Sequence, residues 1–292
     1  MTFKTISVIG LGYVGLPTAA IFASKGHKVI GVDNNEAIVK IINEGKIHIV
    51  EPDLDNLVKS AVRNDKLSAT SKPEAADAFI IAVPTPFTRN QKPDLSYLMA
   101  AVKSVKAVLK KGDLIVIEST VPVGTSQSVS ELLSNQCPDL RFPHQSKTPD
   151  IYIAHSPERV LPGKILAELI KNDRVIGGIS NICSEKAREL YSLLDIKGQC
   201  VLTNAATAEL VKLSENAFRD VNIACANELS IVCEKLGINP WETIKLANHH
   251  PRVSILQPGP GVGGHCIAID PWFIIDSSPK TTELMRTARK VN

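Results

Sequence analysis

The sequence predicts an α/β protein: a Rossmann-type doubly wound parallel sheet followed by a mainly helical domain with one long central helix. Three observations support this fold class. Short apolar runs alternate with helical patterns through the first half of the chain, as a parallel sheet with crossover helices requires. The first apolar run leads directly into the glycine-rich segment "GLGYVG". Later, the stretch from Ala205 to Leu236 contains neither Gly nor Pro.

The elements of the first domain can be placed in order along the chain. The predicted strands are Thr5–Gly10, Lys28–Asp33, Ala78–Val83 and Asp113–Thr120, with two more near Ile151 and Val175. The predicted helices are Val14–His27, Ala37–Asn43, Leu54–Arg63, Leu95–Lys110 and Thr125–Ser134. The segment "AFIIAV" is wholly apolar, which is typical of a strand buried on both faces. We expect this first domain to span residues 1–203.

The second domain, residues 204–292, is predicted to form around one long helix. Apolar residues recur at helical spacing from Ala205 to Leu236, a stretch much longer than an average globular helix. Gly237 ends it, and Pro240 begins a shorter helix through Ala247. A long helix that is apolar on several faces often lies along a dimer interface, so we expect a homodimer. The last residues, "TARKVN", are predicted to belong to another helix.

Composition narrows the classes of function. A chain of 292 residues with 44% hydrophobic and 22% charged residues is typical of a globular protein of about two domains. The net charge is +3 and no basic block stands out, so we expect no nucleic-acid partner. The apolar runs are shorter than the roughly 18 residues of a membrane span, and the N-terminus lacks signal-peptide features. We therefore expect a cytoplasmic protein with no membrane association.

One of the six cysteines has unusual neighbours. Cys266 lies in "PGPGVGGHCIAIDPW", after a run of glycines and before an Asp-Pro pair that we expect to form a turn. A partly exposed polar setting is typical of functional cysteines, whereas most of the other five are expected to be small buried side chains. A zinc site from His249, His250, His265 and Cys266 is the alternative. Adjacent residues rarely ligate one tetrahedral ion, so we expect no metal.

The segment "GLGYVG" has the G-x-G-x-x-G spacing of a dinucleotide-binding loop. Gly10 suits the tight turn, Gly12 the approach of a pyrophosphate, and Gly15 close packing of helix on strand. Asp33 ends the second strand, where a carboxylate can bind ribose hydroxyls. No Arg lies next to it that could bind a 2′-phosphate. NAD is therefore predicted rather than NADP.

Two later segments, "VPTPF" and "EST", lie at the carboxyl ends of strands, where open α/β sheets bind ligands. Ordinary turn chemistry is the alternative explanation for both. The predicted NAD contacts are Gly10, Gly12, Tyr13, Val14, Gly15, Asp33, Thr85 and Thr120.

Six segments together resemble the UDP-glucose/GDP-mannose dehydrogenase family: "GLGYVGLP", "VPTP", "EST", "SPER", "KLSENAFRDVNIACANE" and "GPGVGGHCIAIDPWF". A narrower set resembles the bacterial members that oxidise UDP-N-acetyl-D-mannosamine: "HIVEPDL", "PERVLPG", "IKNDRVIGG" and "HPRVSILQPGPGVGGHC". The resemblance covers the whole chain. It implies oxidation of C6 of a UDP-sugar from alcohol to carboxylate with two NAD molecules. It also implies a third, nucleotide-binding domain after the cysteine loop, which we expect to be absent because the sequence ends at Asn292.

The need for two successive oxidations gives the cysteine a chemical role. A thiolate that adds to the intermediate aldehyde forms a thiohemiacetal, which can be oxidised to a thioester and released by water. Cys266 suits this nucleophile, and the resemblance assigns it that role. Lys212 and Asn216 are four residues apart and share one face of the long helix. The resemblance implies that Lys212 stabilises charge on the C6 oxygen and that Asn216 orients it.

The resemblance implies three further catalytic residues. Asp270 with an ordered water handles protons near the thiol, Glu158 lies beside the reacting carbon, and Thr120 places that water or the cofactor. Predicted substrate contacts are Glu158, Arg159, Val160, Lys212, Asn216, Arg219, Asn222, His249, His250, Arg252 and Gly263. Arginine suits bidentate contact with pyrophosphate or sugar oxygens. In related enzymes an arginine near Arg252 reaches the neighbouring subunit's site, so Arg252 is expected to act in trans.

Two other functions stay open at this level. A simple β-hydroxyacid dehydrogenase also combines a Rossmann domain with a long-helix domain, but it needs no thiol and forms one NADH per substrate. A catalytically weak fragment that binds NAD or dimerises is the second alternative. The ordinary structural roles of polar residues, as helix caps, turns or solvated faces, are the alternative for Lys212, Asn216, Glu158 and Asp270.

Overall fold

The computed structural model describes residues 3–88 and 90–292, and these form eight strands and eleven α-helices. The strands are β1 Thr5–Ile9, β2 Lys28–Val32, β3 Leu67–Thr70, β4 Ala78–Ile81, β5 Leu114–Ile117, β6 Tyr152–His155, β7 Arg174–Gly178 and β8 Cys200–Asn204. The helices are α1 Gly15–Ser24, α2 Glu36–Asn43, α3 Leu54–Arg63, α4 Ser96–Val105, α5 Thr125–Gln136, α6 Ile165–Lys171, α7 Asn181–Ser192, α8 Ala205–Leu236, α9 Pro240–Ala247, α10 Asp270–Ser277 and α11 Glu283–Val291.

The chain divides into two compact units. The first, called the sheet unit, comprises Met1–Thr85 and Leu95–Glu209. The second, called the helical unit, comprises Pro86–Asp94 and Leu210–Asn292. The last change of unit along the chain therefore falls inside α8, a few residues after the end of β8. Among the residues that the structure describes, no helix has both the length and the apolar character that a membrane crossing requires.

The sheet unit contains one sheet with the strand order β3-β2-β1-β4-β5-β6-β7-β8. From β3 through β6 all neighbouring strands pair in parallel. The chain first builds outward from β1 to β3 and then returns to β4 on the other side of β1, so the order reverses between β1 and β4. This confirms the Rossmann-type doubly wound fold class. The predicted sheet was wholly parallel, whereas β7 pairs antiparallel with β6, and β8 runs parallel with β7.

Apolar strand residues explain why the sheet has helices on both faces. All four residues of β4 are buried, and they alternate between two separate hydrophobic clusters. Ala78 and Ile80 belong to the cluster that includes residues of α1, α3 and α7. Phe79 and Ile81 belong to the cluster that includes residues of α4 and α5. Successive side chains of a strand point to opposite faces, so a wholly apolar strand needs cover on both.

Several sequence predictions need correction. The prediction omits β3, α6, α7 and β8, all of which are short or rich in polar residues. The predicted helix Leu95–Lys110 is shorter, because α4 ends at Val105 and a 3-10 turn follows. The Asp-Pro pair does not form a turn: it begins α10, since proline fits the first helical turn, where its missing N–H has no partner to lose. The bounds of α8 and α9 agree with the prediction.

Candidate active site

The glycine loop connects β1 to α1 at the point where the strand order reverses. Gly10 has a φ of +91°, and a Cβ there would lie 2.5 Å from the carbonyl oxygen of Ala82. A Cβ on Gly15 would lie 1.8 Å from the carbonyl oxygen of Gly10. A Cβ on Gly12, by contrast, would meet nothing within 4 Å. Gly10 and Gly15 thus allow the tight turn and close packing, while Gly12 leaves the outer side of the loop open to a ligand.

The start of α1 suits an anion. Within the described residues no side chain caps this helix, and its first turn contains no acidic residue. The N–H groups at a helix start carry a partial positive charge and bind phosphate readily. Tyr13 is exposed and Val14 half-buried beside this open side of the loop. The loop and the helix start can therefore hold the pyrophosphate of a dinucleotide.

Asp33 lies directly after β2 and is fixed against the same loop. Its Oδ2 accepts a hydrogen bond from the backbone N–H of Leu11 at 3.0 Å. Its Oδ1 accepts one from the N–H of Asn35 at 2.9 Å. An ionised carboxylate has about four acceptor positions, so Asp33 keeps capacity for two ribose hydroxyls. These contacts fit NAD, because a 2′-phosphate would face a negative charge here.

The segments after β4 and β5 lie at the same edge of the sheet and are joined to each other. The hydroxyl of Thr85 donates to the carbonyl oxygen of Thr120 at 2.6 Å. Ser119 Oγ accepts from the N–H of Val83 at 2.9 Å and donates to its carbonyl oxygen at 2.7 Å. Thr85 and Thr120 are both half-buried. The two predicted cofactor threonines are therefore held together beside the glycine loop, where Gly10 approaches Ala82.

Glu158 lies in the segment that follows β6. Its Oε1 accepts from the backbone N–H of Arg159 at 2.6 Å, and its Oε2 lies 3.7 Å from Nη2 of Arg174. The neighbouring predicted substrate residues are partly buried: Arg159 donates to the carbonyl oxygen of Asp173 at 3.2 Å, and Val160 packs against the core. Glu158 is thus fixed by contacts on both of its oxygens.

Two carboxylates that sequence reasoning did not select support this part of the sheet unit. Glu51, from "HIVEPDL", accepts from the N–H groups of Gly163 and Ile165 at 2.8 and 2.7 Å. It thereby holds the end of the "PERVLPG" segment. Glu118, the first residue of "EST", is completely buried beside Arg174. The sequence signal for Glu118 is a charged residue directly after the apolar strand "LIVI", but nothing local identifies its partners.

In the helical unit, α8 and α10 place three predicted residues together. Asn216 of α8 is 1% exposed and Asp270 of α10 is 4% exposed. Asn216 Nδ2 donates to Asp270 Oδ2 at 2.5 Å, and the guanidinium of Arg219 donates to Asn216 Oδ1. Burial raises the pKa of Asp270 to about 6, against the opposing effects of the Asn216 hydrogen bond and the charges of Lys212 and Arg219. Asp270 can therefore exchange a proton near neutral pH.

Cys266 lies one helical turn before Asp270. Its carbonyl oxygen accepts a hydrogen bond from the N–H of Asp270 at 2.9 Å. Cys266 itself is exposed to solvent. Upstream, the loop is tied to α8 by two amide side chains: Asn222 bonds Ser254 and Leu256, and Asn227 bonds Gly259. The loop thus places the exposed Cys266 four residues before Asp270, whose carboxylate is buried and hydrogen-bonded to Asn216.

The other predicted residues of the helical unit lie on its surface, either after α9 or within the cysteine loop. His249, His250 and Arg252 follow α9 and are exposed, as are Gly263 and His265. Within the described residues no group of three or more His, Cys, Asp or Glu side chains could hold a metal ion. Of the other five cysteines only Cys183 and Cys233 are buried, whereas Cys137 and Cys200 are half-buried and Cys225 is exposed, contrary to the expectation that most are buried.

A glycine loop at the reversal of a doubly wound sheet, with a carboxylate after the second strand, defines a dinucleotide-binding protein. The sequence matches the NAD binding domain of the UDP-glucose/GDP-mannose dehydrogenase family over residues 4–195, and the central domain of that family over residues 206–292. The chain belongs to the UDP-glucose/GDP-mannose dehydrogenase family. It is an NAD-dependent nucleotide-sugar dehydrogenase.

Individual relatives are similar along the whole of this chain. It is 61% identical to an NDP-N-acetyl-D-galactosaminuronic acid dehydrogenase of Ralstonia nicotianae, over 99% of this chain and 69% of that one. It is 59% identical to the UDP-N-acetyl-D-mannosamine dehydrogenase of Escherichia coli, over 100% of this chain and 70% of that one. The solved UDP-D-ManNAc dehydrogenase of Pyrococcus horikoshii superposes with a TM-score of 0.92 at 45% identity, covering 99% of this chain and 68% of that one.

Proposed function

We propose that this protein oxidises C6 of UDP-N-acetyl-D-mannosamine from alcohol to carboxylate and reduces two NAD molecules per sugar. The observation that carries the proposal is the exposed Cys266, one helical turn before Asp270, which is buried and hydrogen-bonded to Asn216. Relatives at 61% and 59% identity are named for acetamido sugars of different stereochemistry. Both support an acetamido sugar, and the segments "HIVEPDL" and "PERVLPG" favour the mannosamine epimer.

The sheet unit is proposed to hold the cofactor through Gly10, Gly12, Tyr13, Val14, Gly15, Asp33, Thr85 and Thr120. Bound NAD supplies the hydride acceptor for both oxidations. The open side of Gly12 and the two fixed oxygens of Asp33 support this assignment. We propose residues 1–203 as the NAD-binding domain and 204–292 as the domain that carries the cysteine loop.

Cys266 is proposed to make the second oxidation possible. After the C6 alcohol has lost a hydride and a proton, the thiolate adds to the aldehyde carbon and forms a thiohemiacetal. Loss of a second hydride from that carbon, and of its hydroxyl proton, leaves a thioester. One water molecule then breaks the carbon–sulfur bond, which yields the carboxylate and restores the thiol. A simple β-hydroxyacid dehydrogenase would use none of these steps.

The polar residues of α8 and α10 are proposed to manage charge and protons. Lys212 stabilises negative charge on the C6 oxygen, as preorganised cations do at developing oxyanions. Asn216 orients that oxygen and fixes Asp270. Asp270, with a pKa of about 6, accepts a proton from the thiol or from the attacking water at neutral pH. Its burial provides the pKa that this task requires.

The remaining predicted residues are proposed to complete the reaction and to bind the substrate. Glu158 and Thr120 act at the reacting carbon and its water. Binding of the sugar nucleotide is assigned to Glu158, Arg159, Val160, Lys212, Asn216, Arg219, His249, His250, Arg252 and Gly263. Asn222 uses both ends of its amide to hold the loop, which favours a supporting role for it. His265 is exposed beside the thiol and is available to the substrate.

We also propose a homodimer formed through the helical unit. Ile231, Val232 and Leu236 of α8 are exposed, as are Trp241 and Leu246 of α9. Large apolar side chains clustered on neighbouring helices indicate an interaction surface, and a symmetric dimer buries the same surface twice. Arg252 is then available to act in the partner's site. The cytoplasm is the proposed compartment, because it supplies both NAD and UDP-sugars.

The test is NADH formation by the protein with a panel of UDP-sugars. We expect two NADH per molecule of UDP-N-acetyl-D-mannosamine, and slower oxidation of the galacto and gluco epimers. Cys266→Ser should bind NAD like the parent and lose most turnover. Cys225→Ser is the matched control, because Cys225 is the other exposed cysteine, and it should keep parental turnover. Two NADH per sugar from Cys266→Ser would refute the thioester route, and one NADH from the parent would favour the simple dehydrogenase.

A further inference from the structure

A cluster of charged side chains is buried in the sheet unit. Glu118 follows β5, Arg174 begins β7 and Tyr191 lies on α7. The side chains of Arg174 and Glu118 are 6% and 0% exposed. Tyr191 donates its hydroxyl to Glu118 Oε1 at 2.7 Å, and Arg174 Nη1 donates to the same oxygen at 3.3 Å. Thr18 of α1 donates to the other oxygen at 3.5 Å.

These contacts fix the orientation of Arg174. Its guanidinium carbon lies 4.2 Å from the ring centre of Tyr191. Its Nη1 also donates to the hydroxyl of Ser156 at 3.3 Å. The guanidinium is planar, so contacts to one edge and one face determine where the remaining nitrogen points. That nitrogen, Nη2, lies 3.7 Å from Oε2 of Glu158.

Glu158 depends on Arg174 for the environment of one of its oxygens. Its Oε1 is held by the N–H of Arg159. Its Oε2 is buried, and among the described residues it accepts no hydrogen bond. The guanidinium of Arg174 is therefore the charged group that faces this oxygen within the sheet unit. Without Arg174, this 10% exposed carboxylate would lose the contact that sets the direction of its Oε2.

Stability alone gives no reason for such a cluster. Two buried carboxylates share one guanidinium, and burying charges costs free energy that a well-packed apolar replacement would avoid. Buried ionisable groups of this kind gather at functional sites. Burial raises the pKa of Glu118 to about 7, and the charge of Glu158 adds to the rise, against the effects of Arg174 and Tyr191.

We propose that Arg174 is a positioning residue that keeps the Glu158 carboxylate aimed, while Glu118 and Tyr191 hold Arg174 in place. The inference rests on the proposed function, because it concerns Glu158, which that function places at the reacting carbon. Thr18 extends the cluster to α1, the helix that follows the glycine loop. The same cluster thus connects the cofactor helix with the Glu158 segment.

The first test is a double-mutant cycle with Arg174→Lys and Glu158→Gln. Lysine keeps the charge but lacks the planar fork that contacts both carboxylates. We expect Arg174→Lys to lower kcat by about 10- to 100-fold, as a displacement near 1 Å does, with unchanged affinity for NAD. In the Glu158→Gln background the same change should cost less than about 3-fold, since residues that act together are not additive. Fully additive losses would overturn the proposal.

A milder variant covers the case in which Arg174→Lys does not fold. Tyr191→Phe removes the hydroxyl that Glu118 accepts but keeps the ring beside Arg174. It should fold, bind NAD normally and lower kcat in the parent more than in the Glu158→Gln background. A loss of kcat that is equal in the two backgrounds would show a merely structural role and overturn the proposal.

The second test needs no turnover. Crystal structures of the parent and of Arg174→Lys should show the Glu158 carboxylate displaced by about 1 Å or more, with β5 and β7 unmoved. An unmoved carboxylate would overturn the proposal. If the parent fails to oxidise any UDP-sugar, the proposed function fails, and the crystal structures still decide whether Arg174 positions Glu158.

Discussion

Asp270→Asn should make the protein more stable and less active. Asparagine has the shape of aspartate and can still accept the hydrogen bond from Asn216, but it carries no charge. Burial raises the pKa of Asp270 from 3.8 to about 6, so the folded protein disfavours its ionised form. At about 1.4 kcal/mol for each pKa unit, this corresponds to about 3 kcal/mol of lost stability at neutral pH. The substitution should recover an amount of this order.

The pH dependence of the difference follows from the sign of the shift. Because its pKa is raised in the folded state, Asp270 binds protons more readily there than in the unfolded state. The loss of folding stability that its ionisation causes is therefore complete above pH 6 and disappears as the pH falls below 3.8. Asp270→Asn should therefore exceed the parent in unfolding free energy by about 3 kcal/mol at pH 7.5, and by only about 1 kcal/mol at pH 4.5. Urea unfolding followed by circular dichroism at both pH values measures this difference.

Asp276→Asn provides the matched control. Asp276 lies on the same helix, α10, but is exposed. This substitution should change the unfolding free energy by less than about 0.5 kcal/mol at either pH. In the turnover assay, Asp270→Asn should lose most activity and Asp276→Asn should keep it. An Asp270→Asn variant that is no more stable than the parent at pH 7.5 would refute the reasoning that burial raises this pKa.

Three further predictions concern the cofactor site and assembly. Gly12→Ala should keep the parental unfolding midpoint, because a Cβ at this position would meet nothing within 4 Å. It should nevertheless weaken NAD binding by at least about 10-fold in calorimetry, because the pyrophosphate needs that space. Unchanged affinity would refute the placement of the cofactor. The parent should bind NAD much more tightly than NADP, and Asp33→Asn should narrow the gap by removing the charge that repels a 2′-phosphate; equal affinities in the parent would contradict the role of Asp33. The parent should be a dimer by light scattering at micromolar concentration and Ile231→Glu a monomer that still binds NAD, so a monomeric parent would exclude the proposed interface.

The sequence by itself predicted the features that are set by residues close together in the chain. The bounds of α8 and α9 agree with the prediction because local signals set them: no Gly or Pro within α8, Gly237 with a φ of +68° after it, and Asn239 capping α9. The glycine loop is similar, since a tight turn between strand and helix requires particular residues at fixed spacing. The family resemblance named Cys266, Asp270 and Asn216 before any contact between them was visible.

Sequence patterns were too weak to predict elements that are short or polar. The four residues of β3 include an exposed serine, and α7 has charged residues along much of its length, so neither has a strong apolar period. The reversal of β7 and β8 has no local signal either, because the direction of a strand depends on the path of the chain before it. These strands form by pairing with the edge of the existing sheet, and α7 forms by packing on one of its faces.

Only the tertiary structure decided which charges are buried together. Glu118 is 56 residues from Arg174 and 73 from Tyr191, and Asn216 is 54 residues from Asp270. No periodicity or spacing rule connects residues this far apart. Burial is what raises the pKa values of Asp270 and Glu118, and burial exists only once the strands and helices have packed. The sequence therefore determined which chemical groups are present, and the packed fold determined their protonation and their partners.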